Sequence, residues 1–373
     1  MKFIFTCGGT AGHINPAIAV AGRLKELMPD TEVLFIGANN KMEMELVPRE
    51  GYEIKGLTVG NIRRSLSPKA IVHNINSVKN VIISRMEAKR IIKRFKPDVV
   101  IGTGGYVCYP VLKAAADLGI PTVVHESNAV PGLTTKMLAD KVDRVLVGFE
   151  ESRQYYNHPE KVEVTGTPVR GAFDRFTKAE AKAKLGLKED EKLVVSVWGS
   201  LGAEHMNNVM QQMIPMLDGN QGFRLLHAAG SRYYKGISEA LAEKANDLET
   251  MGVELREYIY DMPCVMAAAD LILCRAGAST ISELCYMAKP VIMVPSPNVT
   301  NGHQEKNARV LERAGGARLL LEGEFDAESL LGEIKALLAD DERLTAMSGA
   351  MHSLAVPGAT DRICDIALSL INK

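Results

Sequence analysis

The same local pattern occurs twice in this chain of 373 residues, and it limits the possible folds more than any other feature. Near the N-terminus, the apolar segment 3–6 leads through the glycine-rich turn 8–12 into a helical pattern. Near the middle, the apolar segment 193–198 leads through the small-residue turn 199–203 into a second helical pattern. A buried strand followed by a glycine turn and a helix is the unit of doubly wound α/β domains.

The later segments of both halves repeat this correspondence. Residues 98–102 and 120–124 are apolar strands separated by a helical pattern, and residues 270–274 and 289–294 form an equivalent pair. Continuous Val, Ile and Leu strands that alternate with helices indicate parallel sheets covered on both faces. We therefore predict an α/β protein with two Rossmann-like, doubly wound parallel-sheet domains that face a cleft. A single long α/β sheet is the alternative.

The composition excludes several classes of protein. Hydrophobic residues make up 46% of the chain and charged residues 24%, which is typical of soluble globular proteins and not of disordered or collagen-like chains. The six cysteines include no C-x-x-C pair, so we expect buried free thiols and neither a zinc site nor disulfides. Because no stretch of about 20 apolar residues is present, we expect no membrane-spanning helix. We also expect no signal peptide, because the apolar run after Lys2 ends after a few residues, short of the roughly 7–15 that a signal needs.

Charge is distributed unevenly along the chain. Residues 1–165 are net basic and the remainder is net acidic. Segment 61–96 contains ten Lys and Arg residues and one acidic residue, Glu87, with apolar residues partly at helical spacing. A basic amphipathic helix is typical of a membrane-surface element, so this segment predicts contact with an anionic membrane. The alternatives are an ordinary surface helix that packs its Ile and Val inward, and a nucleic-acid patch, which the scarcity of aromatic residues disfavours.

The glycine turn 8–12 could bind a diphosphate, because it follows a strand and opens a helix. It has neither the G-x-G-x-x-G spacing of a dinucleotide site nor the G-K-[ST] ending of a P-loop, which disfavours a dehydrogenase and nucleotide hydrolysis. His13 lies at the end of the turn, where the helix N-terminus favours a neutral imidazole that can accept a proton. A purely structural histidine is the alternative.

Polar residues also follow two neighbouring strands of the first half, at Gly104–Tyr106 and at His125–Asn128. Polar clusters beyond an apolar strand are unlikely to be core, and loops on a rigid scaffold often form sites. We therefore expect both groups to lie outside the core, as candidate site residues.

The second half contains a denser group, in which segment 275–283 forms a strand end, a small-residue turn and the start of a helix. The N–H groups of Ala278, Ser279 and Thr280 could bind phosphate oxygens. Glu283, expected near the first helical turn, could accept hydrogen bonds from a pair of ribose hydroxyls. The alternative is that Ser279 or Thr280 is the N-cap of the helix and a nearby acid completes a capping box.

Two further classes of chemistry are disfavoured. No D-x-D sequence occurs near a strand end and no His, Asp and Glu residues have metal-ligand spacing, so we expect no metal at the phosphate site. The G-x-S-x-G turn of serine hydrolases is also missing from the sequence.

Taken together, these segments resemble the MurG family of bacterial peptidoglycan glycosyltransferases, which add N-acetylglucosamine (GlcNAc) to lipid I. The matches run in order over about four-fifths of the chain. They are G-G-T-A-G-H-I-N-P-A (8–17), G-T-G-G-Y (102–106), H-E-S-N-A-V-P-G (125–132), T-G-T-P-V-R (165–170), G-S-L-G-A (199–203), Y-D-M (260–262), C-R-A-G-A-S-T-I-S-E (274–283) and H-Q-E-K-N-A (303–308). Three positions depart from the family pattern: Ala11 stands where the family usually has Gly, Leu201 stands where it usually has Gln, and Trp198 lies beside the turn that contains Leu201.

The resemblance implies the two-domain GT-B fold and a UDP-GlcNAc site in the second domain. The expected divisions are an N-terminal domain over 1–165, a C-terminal domain over 166–352, and a C-terminal helix in 353–373 that returns to the first domain. The family's donor positions correspond to Thr10, Ala11, Gly12, Asn128, Arg170, Ser200, Ile259, Ala278, Ser279, Thr280, Ile281, Ser282, Glu283 and Gln304. Glu283 is implied to bind the ribose, Ile259 the uracil through its backbone, and Gln304 the sugar hydroxyls.

The resemblance also implies the reaction, in which the C4 hydroxyl of lipid I attacks the anomeric carbon of GlcNAc and inverts it to a β1→4 link. The catalytic candidates are His13, the preferred general base, and Glu126, its rival. The implied acceptor-binding residues are Gly104, Gly105, Tyr106 and His125. Without a metal or other cofactor, backbone N–H groups and a helix dipole must stabilise the UDP leaving group.

The implied partners are UDP-GlcNAc, lipid I, an anionic membrane surface and other cell-wall or division proteins, with no nucleic acid. The implied location is peripheral, on the cytoplasmic side of the bacterial cell membrane. Two alternatives remain open. A UDP-GlcNAc 2-epimerase shares the architecture and the donor but leaves segment 61–96 unexplained, and a catalytically silent scaffold would not need His13, Glu126, Glu283 and Gln304.

Overall fold

The computed structural model divides the chain into two compact units. Unit 1 consists of Met1–Arg170 and Val356–Lys373, and unit 2 consists of Gly171–Ala355. These divisions lie a few residues beyond the positions expected from the sequence, 165 and 352. The structure describes residues 1–59, 68–169, 173, 175–199, 202–244, 247–299 and 302–371, and for residues 68–79, 81 and 244 it describes the backbone alone.

Unit 1 is built on a seven-stranded sheet in the order β3-β2-β1-β4-β5-β6-β7. Every neighbouring pair in this sheet is parallel. The strands are β1 (Lys2–Thr6), β2 (Glu32–Ala38), β3 (Glu53–Leu57), β4 (Val99–Gly102), β5 (Thr122–Glu126), β6 (Arg144–Val147) and β7 (Val162–Val164). The helices are α1 (Ala11–Leu27), α2 (Glu43–Arg49), α3 (Pro68–Phe95), α4 (Cys108–Ala116) and α5 (Leu133–Ala139).

Alternating residues of the central strands supply two separate cores in unit 1, one on each face of the sheet. Phe3 and Phe5 of β1 pack with the buried face of α1. Ile4, between them, packs on the opposite face with residues of α3 and α4. All three side chains are fully buried, which explains why the strand is a continuous apolar run.

The C-terminal helix α14 (Ala359–Ile371) belongs to unit 1 although it follows unit 2 in the chain. Ile363 and Ala367 are buried in the core that α1 shares with the sheet. At the edge of this contact, the Arg23 guanidinium donates to the Asp361 carboxylate at 2.5 Å. The helix therefore covers one face of the first sheet.

Unit 2 repeats the plan with a six-stranded sheet in the order β10-β9-β8-β11-β12-β13, and all its strand pairs are parallel. The strands are β8 (Lys192–Val197), β9 (Phe223–Ala228), β10 (Val253–Arg256), β11 (Leu271–Cys274), β12 (Val291–Met293) and β13 (Ala317–Leu319). The helices are α6 (Lys178–Lys184), α7 (Glu204–Met213), α8 (Tyr234–Lys244), α9 (Met262–Ala268), α10 (Ala278–Tyr286), α11 (His303–Arg313), α12 (Ala327–Leu338) and α13 (Asp341–Ser353).

The two sheets confirm the predicted pair of Rossmann-like domains, and the alternative of one long sheet is wrong. In each sheet the strand order reverses at one point, between β1 and β4 in unit 1 and between β8 and β11 in unit 2. Ligands of open α/β sheets bind outside the carboxyl ends of the strands at such a point. The sequence motifs at 8–12, 104–106, 199–203 and 275–283 all follow these four strands.

The expectation about the cysteines is confirmed. All six cysteines are free and buried, as predicted. Among the helices that the structure describes, none is long and apolar enough to cross a membrane.

Candidate active site

The glycine turn after β1 is held by backbone contacts with the next loop along the sheet edge. The Gly8 N–H donates to the Gly104 carbonyl at 3.2 Å. Gly105 has φ +89°, and a Cβ atom added there would lie 2.3 Å from the Gly8 carbonyl oxygen. Glycine is therefore required at 105, because the left-handed backbone and the close approach both exclude a side chain.

His13 lies in the first turn of α1, next to the contact between the Gly8 turn and the Gly104 loop. Its Nδ1 lies 2.8 Å from the Gly8 carbonyl oxygen. A Cβ atom added to Gly104 would come within 2.5 Å of the His13 ring, so the ring packs closely against that loop. The Thr103 hydroxyl donates to the His13 carbonyl at 2.6 Å and fixes the backbone as well.

The contact with Gly8 determines which ring nitrogen of His13 can act as a base. A carbonyl oxygen can only accept a hydrogen bond, so Nδ1 carries the proton in this contact. In the neutral ring the other nitrogen, Nε2, then has the lone pair. His13 is therefore held in the tautomer that presents Nε2 as a proton acceptor, from a half-buried position.

A buried carboxylate that the sequence analysis missed supports the same turn. Glu43, the first residue of α2, is fully buried. One of its oxygens accepts from the Gly9 N–H at 3.1 Å and the other from the Ala38 N–H at 2.9 Å. Gly9 therefore directs its N–H inward, and the diphosphate site predicted for turn 8–12 is limited to the N–H groups at the start of α1.

Glu126 is engaged on both carboxylate oxygens. Oε1 accepts from the backbone and side-chain nitrogens of Asn128, at 3.1 and 2.9 Å. Oε2 accepts from the Gly132 N–H at 2.9 Å and from the Thr135 hydroxyl at 2.8 Å. Four donors on one carboxylate fix the loop that follows β5 and stabilise the start of α5.

The expectation that His125 and Glu126 lie outside the core is wrong. Both belong to β5, and their exposed fractions are 1% and 5%. His125 Nε2 contacts the Gly166 carbonyl at 2.9 Å, and burial lowers the pKa of this histidine. Polar side chains are tolerated there because each has hydrogen-bond partners. His125 thus has the surroundings of a supporting residue, whereas Tyr106 is half-buried and Asn128 lies in the loop beyond the strand.

In unit 2 the turn 275–277 leads into α10, whose N-cap is Gly277. The alternative of a Ser279 or Thr280 N-cap is therefore wrong, since these are the second and third residues of the helix. The first-turn N–H groups of a helix have no intrahelical acceptor, so those of Ala278, Ser279 and Thr280 remain suited to an anion. Glu283 lies in the second turn and not the first as expected.

Two further side chains hold the turn 275–277 in place. The Arg275 guanidinium donates to the Val294 carbonyl at 3.0 Å, forms an ion pair with Glu322 and lies over the Trp198 ring. The buried Asn307 amide donates to the Ala276 carbonyl at 3.3 Å. Asn307 had no role in the sequence analysis, although it lies within the motif 303–308.

Two further predicted donor residues, Gln304 and Ile259, follow strands β12 and β10 at the same edge of unit 2. Gln304 is the second residue of α11, and its side-chain oxygen accepts from the Ser296 N–H at 2.9 Å. Ile259 is buried between Tyr258 and Tyr260, whose side chains are exposed. Arg170 and Ser200 lie outside the residues that the structure describes. The described residues also contain no group of three or more His, Cys, Asp and Glu side chains arranged to hold a metal.

Comparisons with known proteins identify the family of the chain. The glycosyltransferase family 28 N-terminal domain matches residues 3–147, and the C-terminal domain of the same family matches residues 193–363. The chain belongs to glycosyltransferase family 28.

Relatives within this family are similar over the full length. An enzyme of Acetivibrio thermocellus is 44% identical over 373 residues, covering 100% of this chain and 99% of the relative. It is named UDP-N-acetylglucosamine–N-acetylmuramyl-(pentapeptide) pyrophosphoryl-undecaprenol N-acetylglucosamine transferase. The crystal structure of Acinetobacter baumannii MurG has a TM-score of 0.75 at 25% identity and covers 99% of both chains. The resemblance to the MurG family is confirmed.

The GT-B architecture is shared more widely than the family. A Listeria monocytogenes structure provisionally named UDP-N-acetylglucosamine 2-epimerase has a TM-score of 0.68 at 14% identity, covering 100% of this chain and 95% of that one. At this identity the likeness concerns the fold alone.

A buried histidine below the edge of unit 2 makes stability depend on pH. The Trp198 indole donates to the Ser196 hydroxyl at 2.8 Å, which contacts His227 Nδ1 at 3.1 Å. Burial lowers the pKa of His227 to about 4. The native protein thus keeps this ring neutral down to about pH 4, whereas in the unfolded chain the ring binds a proton below about pH 6.5.

We predict that His227 makes the folded state less stable in acid. Because the folded pKa is depressed, this residue should cost about 2 kcal/mol of unfolding free energy between pH 7 and pH 5. Urea unfolding at both pH values measures this, and the His227→Gln variant should lack that part of the loss. His352→Gln, at an exposed position of α13, is the control. An equal pH dependence in wild type and His227→Gln would contradict the prediction.

Proposed function

We propose that this protein transfers GlcNAc from UDP-GlcNAc to the C4 hydroxyl of the N-acetylmuramyl-pentapeptide of lipid I, forming lipid II in peptidoglycan synthesis. The full-length 44% identity to a transferase named for this reaction is the observation that carries the proposal. The glycine turns, the α10 N-terminus and His13 supply the groups that such a reaction needs.

The donor would bind at the carboxyl edge of the second sheet. The N-terminus of α10 directs N–H groups and the positive end of the helix dipole outward, which favours the diphosphate. In this arrangement Glu283 accepts from the ribose hydroxyls and the backbone of Ile259 contacts the uracil. Because the Ser296 N–H holds the side-chain oxygen of Gln304, its amide NH₂ is oriented to donate to a sugar hydroxyl.

The departure of UDP needs charge stabilisation, since negative charge accumulates on the diphosphate as the anomeric bond breaks. Helix N–H groups fixed before the reaction can provide it without reorganisation. Arg275 and Asn307 hold the turn that aims them, through Val294 and Ala276. Transfer in this scheme requires no metal or other cofactor.

Between the two candidate bases, the contacts favour His13. Its Nδ1 is occupied by the Gly8 carbonyl, so Nε2 is available to take the proton of the C4 hydroxyl. Glu126 instead uses its carboxylate to accept four hydrogen bonds from the loop and helix that follow β5. Protonating it would disrupt those contacts, so we assign Glu126 to positioning Asn128 and the start of α5.

Lipid I is anchored in a membrane, and we propose that α3 brings the enzyme to that surface. Part of this helix is an ordinary packed surface, because Ala88 and Ile92 are fully buried. Ile82, Ile83 and Met86 are nevertheless 58%, 48% and 55% exposed. Exposed Arg90 and Lys93 follow on the same helix, whereas Arg63 and Arg64 lie outside the described residues. Such basic residues add about 1 kcal/mol each near anionic lipid.

The reaction is tested by incubating the enzyme with labelled UDP-GlcNAc in the presence and absence of a lipid I analogue. Disaccharide should form only with the acceptor, because the sugar is transferred and not isomerised. Conversion of the labelled donor to a UDP-linked 2-epimer without acceptor would instead support an epimerase.

The base assignment predicts that His13→Ala lowers kcat by about 10²–10⁴-fold, the usual contribution of a general base. Initial rates at saturating concentrations of both substrates measure this effect. Glu126→Gln should raise KM more than it lowers kcat, since it loosens a loop. Normal turnover in His13→Ala would transfer the role of base to Glu126.

Membrane binding is tested by sedimentation with vesicles. Binding to anionic vesicles should exceed binding to neutral ones and should weaken as salt rises, since the attraction is partly electrostatic. Ile83→Glu should weaken it, whereas Met216→Glu, at a site 49% exposed in unit 2, is the matched control. Equal binding to neutral vesicles would argue against the proposal.

A further inference from the structure

One peptide unit connects a buried carboxylate to the candidate base. The Gly9 N–H donates to Glu43 Oε2 at 3.1 Å. The carbonyl of the same peptide, Gly8 C=O, lies 2.8 Å from His13 Nδ1. Carboxylate, peptide and imidazole therefore form a continuous chain of two hydrogen bonds, in which the Gly8–Gly9 peptide donates at one end and accepts at the other.

Close packing fixes the carboxylate end of this chain of hydrogen bonds. The second oxygen of Glu43 accepts from the Ala38 N–H at the end of β2. A Cβ atom at Gly8 would lie 2.6 Å from Glu43 Oε1, and one at Gly37 would lie 2.6 Å from Glu43 Cγ. The carboxylate thus occupies space that any other residue at positions 8 and 37 would fill.

The Glu43 side chain cannot contact a substrate directly. It is fully buried, and both its oxygens accept from backbone N–H groups, which is the pattern of an ionised carboxylate. Burying this charge has a desolvation cost, and a neutral amide could not replace it, because its single acceptor oxygen would leave Gly9 or Ala38 without a partner. The charge also lies at one end of the peptide whose carbonyl contacts His13.

We propose that Glu43 is a positioning residue that acts through the Gly8–Gly9 peptide to orient His13 and to stabilise its protonated ring during transfer. This inference rests on the proposed function, in which His13 is the base. A carboxylate at the N–H end polarises the peptide and increases the negative charge on the Gly8 oxygen. The hydrogen bond from His13 Nδ1–H to this oxygen is therefore strengthened, and this favours the tautomer in which Nε2 has the lone pair.

The proton itself moves only once. His13 Nε2 takes it from the C4 hydroxyl as the oxygen attacks the anomeric carbon, and UDP leaves with the electron pair of the broken bond. The ring then carries two N–H groups and a positive charge, while Nδ1–H remains on the Gly8 carbonyl. Glu43 and the peptide neither gain nor lose a proton, so their contribution is electrostatic and geometric.

The proposal predicts that Glu43→Gln lowers kcat about 10–100-fold, a typical effect of removing a group that orients a catalytic residue. The amide has only one acceptor oxygen, so either Gly9 or Ala38 loses its partner. KM for both substrates should stay near the wild-type value. Glu45→Gln, at an exposed position of the same helix, is the matched control and should have normal kinetics. A raised KM with unchanged kcat would show that Glu43 only shapes the turn and would overturn the proposal.

A double-mutant cycle tests whether the effect passes through His13. In the His13→Ala background, Glu43→Gln should cause no further loss of kcat, because the group it acts on is gone. Additive losses would overturn the proposal.

Nitrogen-15 NMR of histidine-labelled protein tests the geometry without substrate. The His13 signal, identified by its absence in His13→Ala, should show a ring protonated at Nδ1 in the wild type and a larger share of the other tautomer in Glu43→Gln. A wild-type ring protonated at Nε2 would overturn the proposal even if the variant failed to fold. Normal turnover in His13→Ala would instead show that His13 is not the base of the proposed reaction. That result would not alter the spectra of the wild type and Glu43→Gln.

Discussion

Parallel strand pairing is the constraint on which the rest of the molecule depends. Because each strand must return to the same end of its sheet, every carboxyl end opens into a loop at one edge. At the reversal points of the two sheets, neighbouring loops diverge and leave backbone N–H groups and helix N-termini available to ligands. The groups proposed for catalysis in unit 1 and for donor binding in unit 2 all lie at such edges.

The two edges have the same architecture but different chemistry. In unit 1, buried carboxylates hold the loops: Glu43 holds the turn after β1 and Glu126 the loop after β5. In unit 2, Arg275 and Asn307 hold the turn before α10. In the proposed mechanism, negative charge beneath the edge of unit 1 suits a base that becomes cationic. The Arg275 charge is paired with Glu322, so in the same proposal its role is to hold the turn whose N–H groups face the diphosphate.

The same contacts explain why several site residues are small. Gly104 and Gly105 approach the His13 ring and the Gly8 carbonyl too closely for any side chain. In the sequence they look like ligand-binding glycines, and in the structure their first role is to let two loops pack together. A residue can thus match a binding motif because it shapes the site and not because it contacts the ligand.

Much of the fold was determined by local sequence. Buried strands such as 3–6 and 271–274 are apolar on both faces, and glycines mark the turns that follow them, so two parallel sheets could be predicted without coordinates. The position of His13 at a helix N-terminus was predictable for the same reason, and the family motifs pointed to the candidate donor residues of unit 2.

Other features of the site depend on contacts that the local sequence does not reveal. Glu43 looks like any surface glutamate of a short helix, and only the packing of α2 beneath turn 8–12 buries its carboxylate. His125 and Glu126 look like loop residues, yet hydrogen bonds with Gly166, Gly132 and Thr135 allow them to end a buried strand. The tautomer of His13 likewise depends on a carbonyl five residues away. Local pattern fixes where strands and helices form, but the partners of a buried polar group are known only once the chain has folded.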